Sequence, residues 1–455
     1  QITDPTGYFE QFASKQVGGA SMVEATTAEG YLTSYQVAGA VGGLIERTIT
    51  PPTKAAVQWS DLVTRQTLRG PDGSKTTTDF IADPAFGAQT LLPTTTRLVT
   101  PSGRSLETNL TELKVLDDAK NLLSATEWHM VTEVGDRVSD TQYLRNDRTV
   151  TTTSPMGRQS TVVLDDKGRA VDITAPGVGT VHRDFDALGR LVAVTATAGK
   201  ETRSQTLVYN DNGFLASSTN ARAETASFER DLIGRLLGVT APDNNVTQQD
   251  LDDDDRLLTL KLPGGKNHDF LYQGPTAQLV ATLPPVVEGE TETGFAIGET
   301  HYQYDKHQQL TEIQRSDGNN INFKYNTVTG QLDTVKTSGV TLTHGYDAFG
   351  RLQRISRSDG VTVDLGFDGP LPTSVEWSGG VEGKLTADYD DFLQLKTLTV
   401  NDASSVSFEY DLDGAVTRAS GNGHALDISR DPDTGFVDGT TLGTVTTSYG
   451  YSGFG

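Results

Sequence analysis

The chain has 455 residues, 60 acidic against 37 basic ones, a formal charge of -23 and no cysteine. That balance argues against nucleic acid or an anionic membrane surface as a main partner, because both are met by stripes of Lys and Arg. Without cysteine there is no disulfide framework, thiolate metal site or Cys nucleophile, and no run of about 18 apolar residues is present to span a bilayer.

Residues 1–98 carry no readable repeat and include a Gly/Ala-rich stretch from Ala38 to Gly43. They are expected to be a β-rich capping or plug-like region, or strands that have diverged. Residues 99–142 read as degenerate repeats, with a turn-like fragment at Gly103-Arg104 that returns at Gly157-Arg158. Tyr143, which lies 21 residues before Leu164, opens the region 143–455, where one pattern recurs.

The pattern is an aromatic or bulky residue, usually Asp or Asn next, a short turn, and often Gly-Arg-Leu; Tyr346-Asp347-Ala348-Phe349-Gly350-Arg351-Leu352 is its clearest copy. Its anchors are Leu164, Phe185, Tyr209, Arg230, Leu251, Tyr272, Tyr304, Tyr325, Tyr346, Phe367, Tyr389, Tyr410, Arg430 and Tyr451. Nine of the thirteen steps between them are 21 residues, so the chain is an array and not a set of separate domains.

Residues that end at each anchor alternate apolar and polar. Val361, Val363, Leu365 and Phe367 share one face, Thr362, Asp364 and Gly366 the other, and the phase returns in Ile321, Phe323 and Tyr325 and in Val406, Phe408 and Tyr410. After the anchor, Asp186, Asp305, Asp347, Asp390 and Asp411 are placed to hydrogen-bond their own turn, and Gly189, Gly350 and Gly414 to supply a positive φ. The chain then returns and meets a second turn such as Ser358-Asp359-Gly360, which makes each repeat a β-hairpin unit of two strands. On the outgoing strand Leu352 and Ile355, like Leu310 and Ile313, are three apart, which changes face in a regular strand and predicts a bulge after every anchor turn. The fold class is therefore all-β, antiparallel hairpin repeats of period about 21. Some 28 strands spaced about 4.8 Å make a ribbon roughly 130 Å wide, too broad to stay flat, so it is expected to curl.

The one long step, Tyr272 to Tyr304, contains Pro284-Pro285 and the acidic run Glu288 to Glu292 and reads as a solvent loop. At the other end, Tyr451-Ser452-Gly453-Phe454-Gly455 reads as the opening of a further repeat, and with Gln1 as first residue the chain is expected to be part of a longer polypeptide.

No metal or cofactor is expected. The seven histidines show no zinc spacing, with His301 and His307 the nearest pair; the run Asp250 to Asp255 lacks a calcium-loop pattern and reads as a solvated turn; no nucleophile or phosphate-loop motif occurs. The anchor residues Phe185, Tyr209, Tyr304, Tyr325, Tyr346, Phe367, Tyr389 and Tyr410 are read as packing groups, with stacking on sugars as the competing role.

These motifs resemble the tyrosine-aspartate repeats of the RHS/YD-repeat superfamily, which includes bacterial Rhs toxins, the B and C subunits of insecticidal toxin complexes, and teneurins. The resemblance covers residues 143–455 and is carried most strongly by Phe185 to Leu191 and Tyr346 to Leu352, whereas Leu251 to Leu257 and Tyr272-Gln273 depart from it. It implies a ribbon spiralling into a hollow shell that encapsulates and helps deliver a C-terminal toxin or effector of the same polypeptide, at a secreted or bacterial cell-surface location. The alternative it implies is an extracellular adhesion module that binds cell-surface glycans, a receptor or further copies of itself. No enzyme activity is expected: a self-cleaving core would lie beyond Gly455, and Asp431-Pro432-Asp433-Thr434-Gly435 falls on the repeat register.

Overall fold

The computed structural model describes residues 2–3, 8–39, 43–83, 87–118, 121, 124–274, 278–285 and 298–454. The acidic run Glu288 to Glu292 lies outside them. The described residues form 40 β-strands and no α-helix. Every sheet pairing joins strands adjacent in sequence, and all are antiparallel, so the chain is one continuous meander.

Two features of the sequence dictate this. Short strands separated by turn-forming residues can pair only with their immediate neighbours at low loop-closure cost. Alternation then puts one face in common along the whole ribbon: cross-strand partners Val335 and Leu342, Ile355 and Val363, and Leu398 and Val406 all lie on it with the anchors. The predicted bulge is present at every anchor from Leu164 to Arg430, where the register shifts by one residue against the outgoing strand; Gly345 faces Arg354 while Tyr346 faces Leu352. Bulges repeated at one place in each hairpin add twist and bend of one sense.

The strand number exceeds the expected 28, because the sheet does not begin with the readable repeats. Strands Phe9–Val17, Ala20–Thr27 and Leu32–Gly39 are already part of it, and Phe12, Val23, Tyr35, Ile49 and Trp59 extend the apolar face. Their turns lack the aromatic-Asp signature, and strands such as Gly87–Val99 and Ser105–Leu116 are twice the length of those in the array, which removes the period.

Side chains far apart in sequence show that the ribbon winds back alongside itself. Thr27 meets His307, Arg104 meets Tyr389, Arg137 meets Gln394 and Arg158 meets Asp413, at separations of 255 to 285 residues. The partners advance together along the chain, which is the mark of a helical winding; a folded-back sandwich would have them run in opposite directions. The turn after Ala20–Thr27, the third strand, touches the turn after Ile321–Tyr325, the twenty-eighth; the turn after Thr149–Thr153, the thirteenth, touches that after Ser404–Tyr410, the thirty-sixth. A circuit of 23 to 25 strands spans roughly 110–120 Å, which closes a ring about 35–38 Å across at the backbone.

The contact runs edge to edge. The anchor turns of the second winding sit on the opposite turns of the first, and the sheet stays one layer thick. Accordingly the accessible surface is 26713 Å² for 48.8 kDa, where a compact monomer of that mass would expose about 16,700 Å². The buried apolar residues among those described are four alanines, Ala20, Ala25, Ala55 and Ala281.

At one edge contact Gly177 has φ +75°, and an added Cβ would lie 2.7 Å from the Phe436 ring and 2.8 Å from Thr434 Cβ. Gly177→Ala is therefore expected to lower the stability read from urea unfolding by about 1–3 kcal/mol, the cost of a side chain at a left-handed position with no room, with far-ultraviolet circular dichroism unchanged in native buffer. An unchanged urea midpoint would show that the windings do not touch there.

Candidate functional site

The recurring unit that builds this wall is the anchor turn, and its chemistry is shown best at Tyr346. The turn closes through Asp347 N–H to Arg351 O (2.9 Å) and Gly350 N–H to Asp347 O (3.1 Å), with Gly350 at φ +80°. One carboxylate oxygen of Asp347 accepts from Phe349 N–H (2.8 Å) and Arg351 N–H (2.9 Å); the other accepts from Arg351 Nε (2.8 Å). Turn amides that a strand partner cannot reach are thus satisfied by the side chain next to the anchor.

Two further bonds leave the repeat. Tyr346 donates its hydroxyl to Leu332 O in the preceding repeat (2.8 Å), and Arg351 donates Nη1–H to Gly369 O in the following one (2.5 Å) while its guanidinium lies 4.6 Å over the Phe367 ring. This repeat is tied backward by Tyr346 and forward by Arg351. A cation over an aromatic face contributes about 0.5–1 kcal/mol at such half-exposed positions.

The other predicted residues fall on the same plan. Tyr209, Tyr304, Tyr325, Tyr389 and Tyr410 donate to the carbonyls of Leu191, Leu279, Leu310, Pro372 and Leu395 at 2.5–2.9 Å. Asp186, Asp305, Asp390 and Asp411 accept from the amides of Arg190, Gln309, Gln394 and Ala415 at 2.8–2.9 Å. Gly189 and Gly414 hold φ +84° and +82°. Phe185, without a hydroxyl, lies under Arg169 at 4.4 Å. Phe367 is followed by Asp368, which departs from the plan: it turns away from its own hairpin and accepts from Thr100 Oγ1 (2.8 Å), Ser102 N–H (2.8 Å) and Ser102 Oγ (2.5 Å) in the first winding.

Electrostatics follow from these bonds. The Arg190 amide and guanidinium hold the Asp186 carboxyl below the usual carboxylate range, Arg169 does the same for Asp165, and the Arg235 guanidinium does so for Asp231. Burial pushes the phenols of Tyr304, Tyr325, Tyr346 and Tyr410 up. The hydroxyls are engaged and the rings half-buried in the phase of Val and Leu, as packing groups are.

The remaining candidates separate. His301 pairs with Glu299 (2.6 Å), whereas His307 accepts from Glu29 N–H (3.1 Å) and stacks on Tyr31 (4.4 Å between centroids), so the two serve different contacts. Within the Asp250 to Asp255 run, Asp252 caps its turn and pairs with Arg256, and Asp255 pairs with Arg235 (2.9 Å). Asp431 caps an anchor turn through the amides of Asp433 and Thr434.

The functional residue missed in the sequence is the one after the positive-φ turn residue, which is glycine in most repeats but Asp255, Gln308 or Leu393 in others. Arg169, Arg190, Arg235, Arg256 and Arg351 all pair with the anchor Asp, and Gln309, Gln331 and Gln394 replace Arg where the forward bond to Gly330, Gly350 and Gly414 is kept. Its signal in the sequence is the Arg of Gly-Arg-Leu, present at Arg190, Arg235 and Arg351.

A model of the Teneurin YD-shell family matches residues 135–450. Similar solved structures are the crystal structure of TcdB2-TccC3, at 12% identity and TM-score 0.51 over 100% of this chain and 32% of that one, and that of TcdB2-TccC3-TEV, at 13% and 0.50 over 96% and 30%. A Photorhabdus luminescens Tc holotoxin pore carrying a TccC3 mutation aligns at 12% and 0.50 over 96% and 29%. At these identities the likeness shows the fold, and the chain spans about a third of the structures it matches. No curated protein matches.

Two outcomes are expected. Tyr346→Phe should cost about 1 kcal/mol in urea unfolding, the net value of one hydrogen bond, and Tyr346→Ala roughly 3 kcal/mol; a Tyr346→Phe midpoint equal to that of the unsubstituted protein would deny the hydroxyl a role. Carboxyls held low in the native state stabilise it above the ordinary Asp pKa of about 3.9 and lose that contribution as pH falls through their native values. The urea midpoint should therefore decline below about pH 4, and a midpoint that rises on acidification would contradict the assignment of Asp165, Asp186 and Asp231 as ionised turn caps.

Proposed function

The chain belongs to the Teneurin YD-shell family, and from that premise we propose that it is a segment of shell wall that encloses, protects and helps deliver a toxin or effector domain carried C-terminally on the same polypeptide. Its work is structural: the anchor residues build the wall, and residues 1–98 form its opening stretch. The observation that carries this reading is a single-layer sheet, wetted on both faces and wound edge to edge, with 26713 Å² accessible. A sheet that served as an ordinary core would cover its apolar face with a second layer; here the covering layer is taken to be enclosed cargo and solvent. A ring about 35–38 Å across leaves space for an extended or partly folded chain within each winding. Delivery of such cargo places the protein at a secreted or cell-surface location. Among the described residues no helix is long and apolar enough to cross a membrane.

The test is protection of cargo. The full-length polypeptide and its isolated C-terminal region are digested side by side with a broad protease. The expected outcome is a cargo half-life at least tenfold longer inside the full-length protein, since cleavage then awaits opening of the wall. Equal half-lives would refute enclosure.

A further inference from the structure

We infer that the wall opens along the seam between its windings, by parting of turn edges that are latched through arginine and aspartate, while the hairpin ladder stays intact. This rests on the shell reading and adds to it a route by which the interior is reached.

Among the described residues the sheet ladder does not cross the seam, because every pairing joins sequence neighbours. Among the described residues the one backbone bond between windings is Gly179 N–H to Gly453 O (2.7 Å). What else holds the windings together is a row of side-chain contacts at turn tips. Asp368 receives Thr100 and Ser102. Arg104 donates to Tyr389 O (2.6 Å) and pairs with Asp388. Arg158 reaches Asp413 (2.5 Å) and Pro432 O (3.3 Å), and Asp413 also accepts from Ser154 Oγ (3.0 Å) and Met156 N–H (2.9 Å). Arg137 donates to Gln394 Oε1 (2.6 Å) and lies 3.8 Å over Phe392.

These contacts leave the seam under-packed. Between Leu106, Val134 and Arg137 on one side and Phe392, Leu412 and Asp413 on the other lies a cleft of about 590 Å³, where facing apolar atoms forgo dispersion contacts. A ladder bonded along each strand and a seam bonded at isolated points differ in local stability, and opening follows the weaker line. Asp388 and Asp413 lie on the second winding and their partners Arg104 and Arg158 on the first, while Arg351 and Asp72, 4.0 Å apart, pair in the opposite sense, so the closure includes a row of charge pairs across the seam. Exposed members of it, such as Arg104 with Asp388, are screened by salt over a Debye length of about 3 Å at 1 M.

The absence of cysteine permits spin labels at chosen sites. Labels at Glu133→Cys and Asp391→Cys, two exposed residues on opposite sides of the seam and within two positions of the touching Gly135 and Phe392, report its width by pulsed electron-electron double resonance; labels at Glu133→Cys and Thr152→Cys report a span within one winding. In low salt the seam pair is expected to give one short distance. In about 1 M salt a reversible longer population should appear while the within-winding distance stays fixed, and Arg158→Gln should raise that population roughly tenfold at low salt, through loss of a nearly buried charge partner. Seam distances unmoved by both salt and Arg158→Gln would overturn the inference, and so would equal broadening of both label pairs, which would mean that the ladder yields with the seam. Cargo protection lost without seam opening would instead count against enclosure itself, so the two readings fail separately.

Discussion

A sheet one layer thick buries very little, and that constraint governs everything else in this molecule. In an ordinary domain the cost of ordering the chain is offset mainly by a core. Here, among the described residues, the buried apolar side chains are four alanines, and cohesion comes from the ladder and from bonds between repeats. The anchor turn supplies the second kind. Its Asp satisfies the amides that the ladder leaves over, its Tyr reaches back to the previous outgoing strand, and its Arg or Gln reaches forward to the next turn. Half-buried aromatic rings and guanidinium groups laid along one face replace, over a long line, what a core does in three dimensions.

The same unit sets the shape. A bulge at each anchor gives every hairpin the same extra twist, and twist of constant hand accumulates into curvature. After 23 to 25 strands the ribbon returns to its own edge. There the anchor turns meet the opposite turns of the previous winding, and residues that follow the repeat plan elsewhere take a second role. Asp368 gives up capping its own turn to hold Thr100 and Ser102, and glycine at 177 leaves room for Phe436.

Much of this was legible in the sequence. The period, the common phase of Val363, Leu365 and Phe367, the turn glycines and the three-residue spacing of Leu352 and Ile355 gave a curled antiparallel ribbon with a bulge at each anchor, because all of these are local rules. Before residue 143 the β-rich character was legible but the individual strands and their continuity with the array were not: their turns carry no shared signature and their lengths vary from Arg65–Arg69 to Gly87–Val99. The arginine struts were written plainly as Gly-Arg-Leu, but a single repeat gives no hint that the side chain serves the next one. The seam was unreadable for a different reason. Arg158 and Asp413 lie 255 residues apart, and nothing in either turn distinguishes Asp368 or Asp413 from the other acidic turn residues until the winding number is known.

A direct image of the wall in section addresses the central claim that these repeats make a single-layer, wound shell. Cryo-electron microscopy of the full-length protein should show one sheet thickness of density around a lumen, with two adjacent windings meeting at turn edges and a circuit of 23 to 25 strands. Density of a second β-sheet from the same region packed against the apolar face of Tyr325, Tyr346 and Phe367, which would make a solid sandwich, would contradict it.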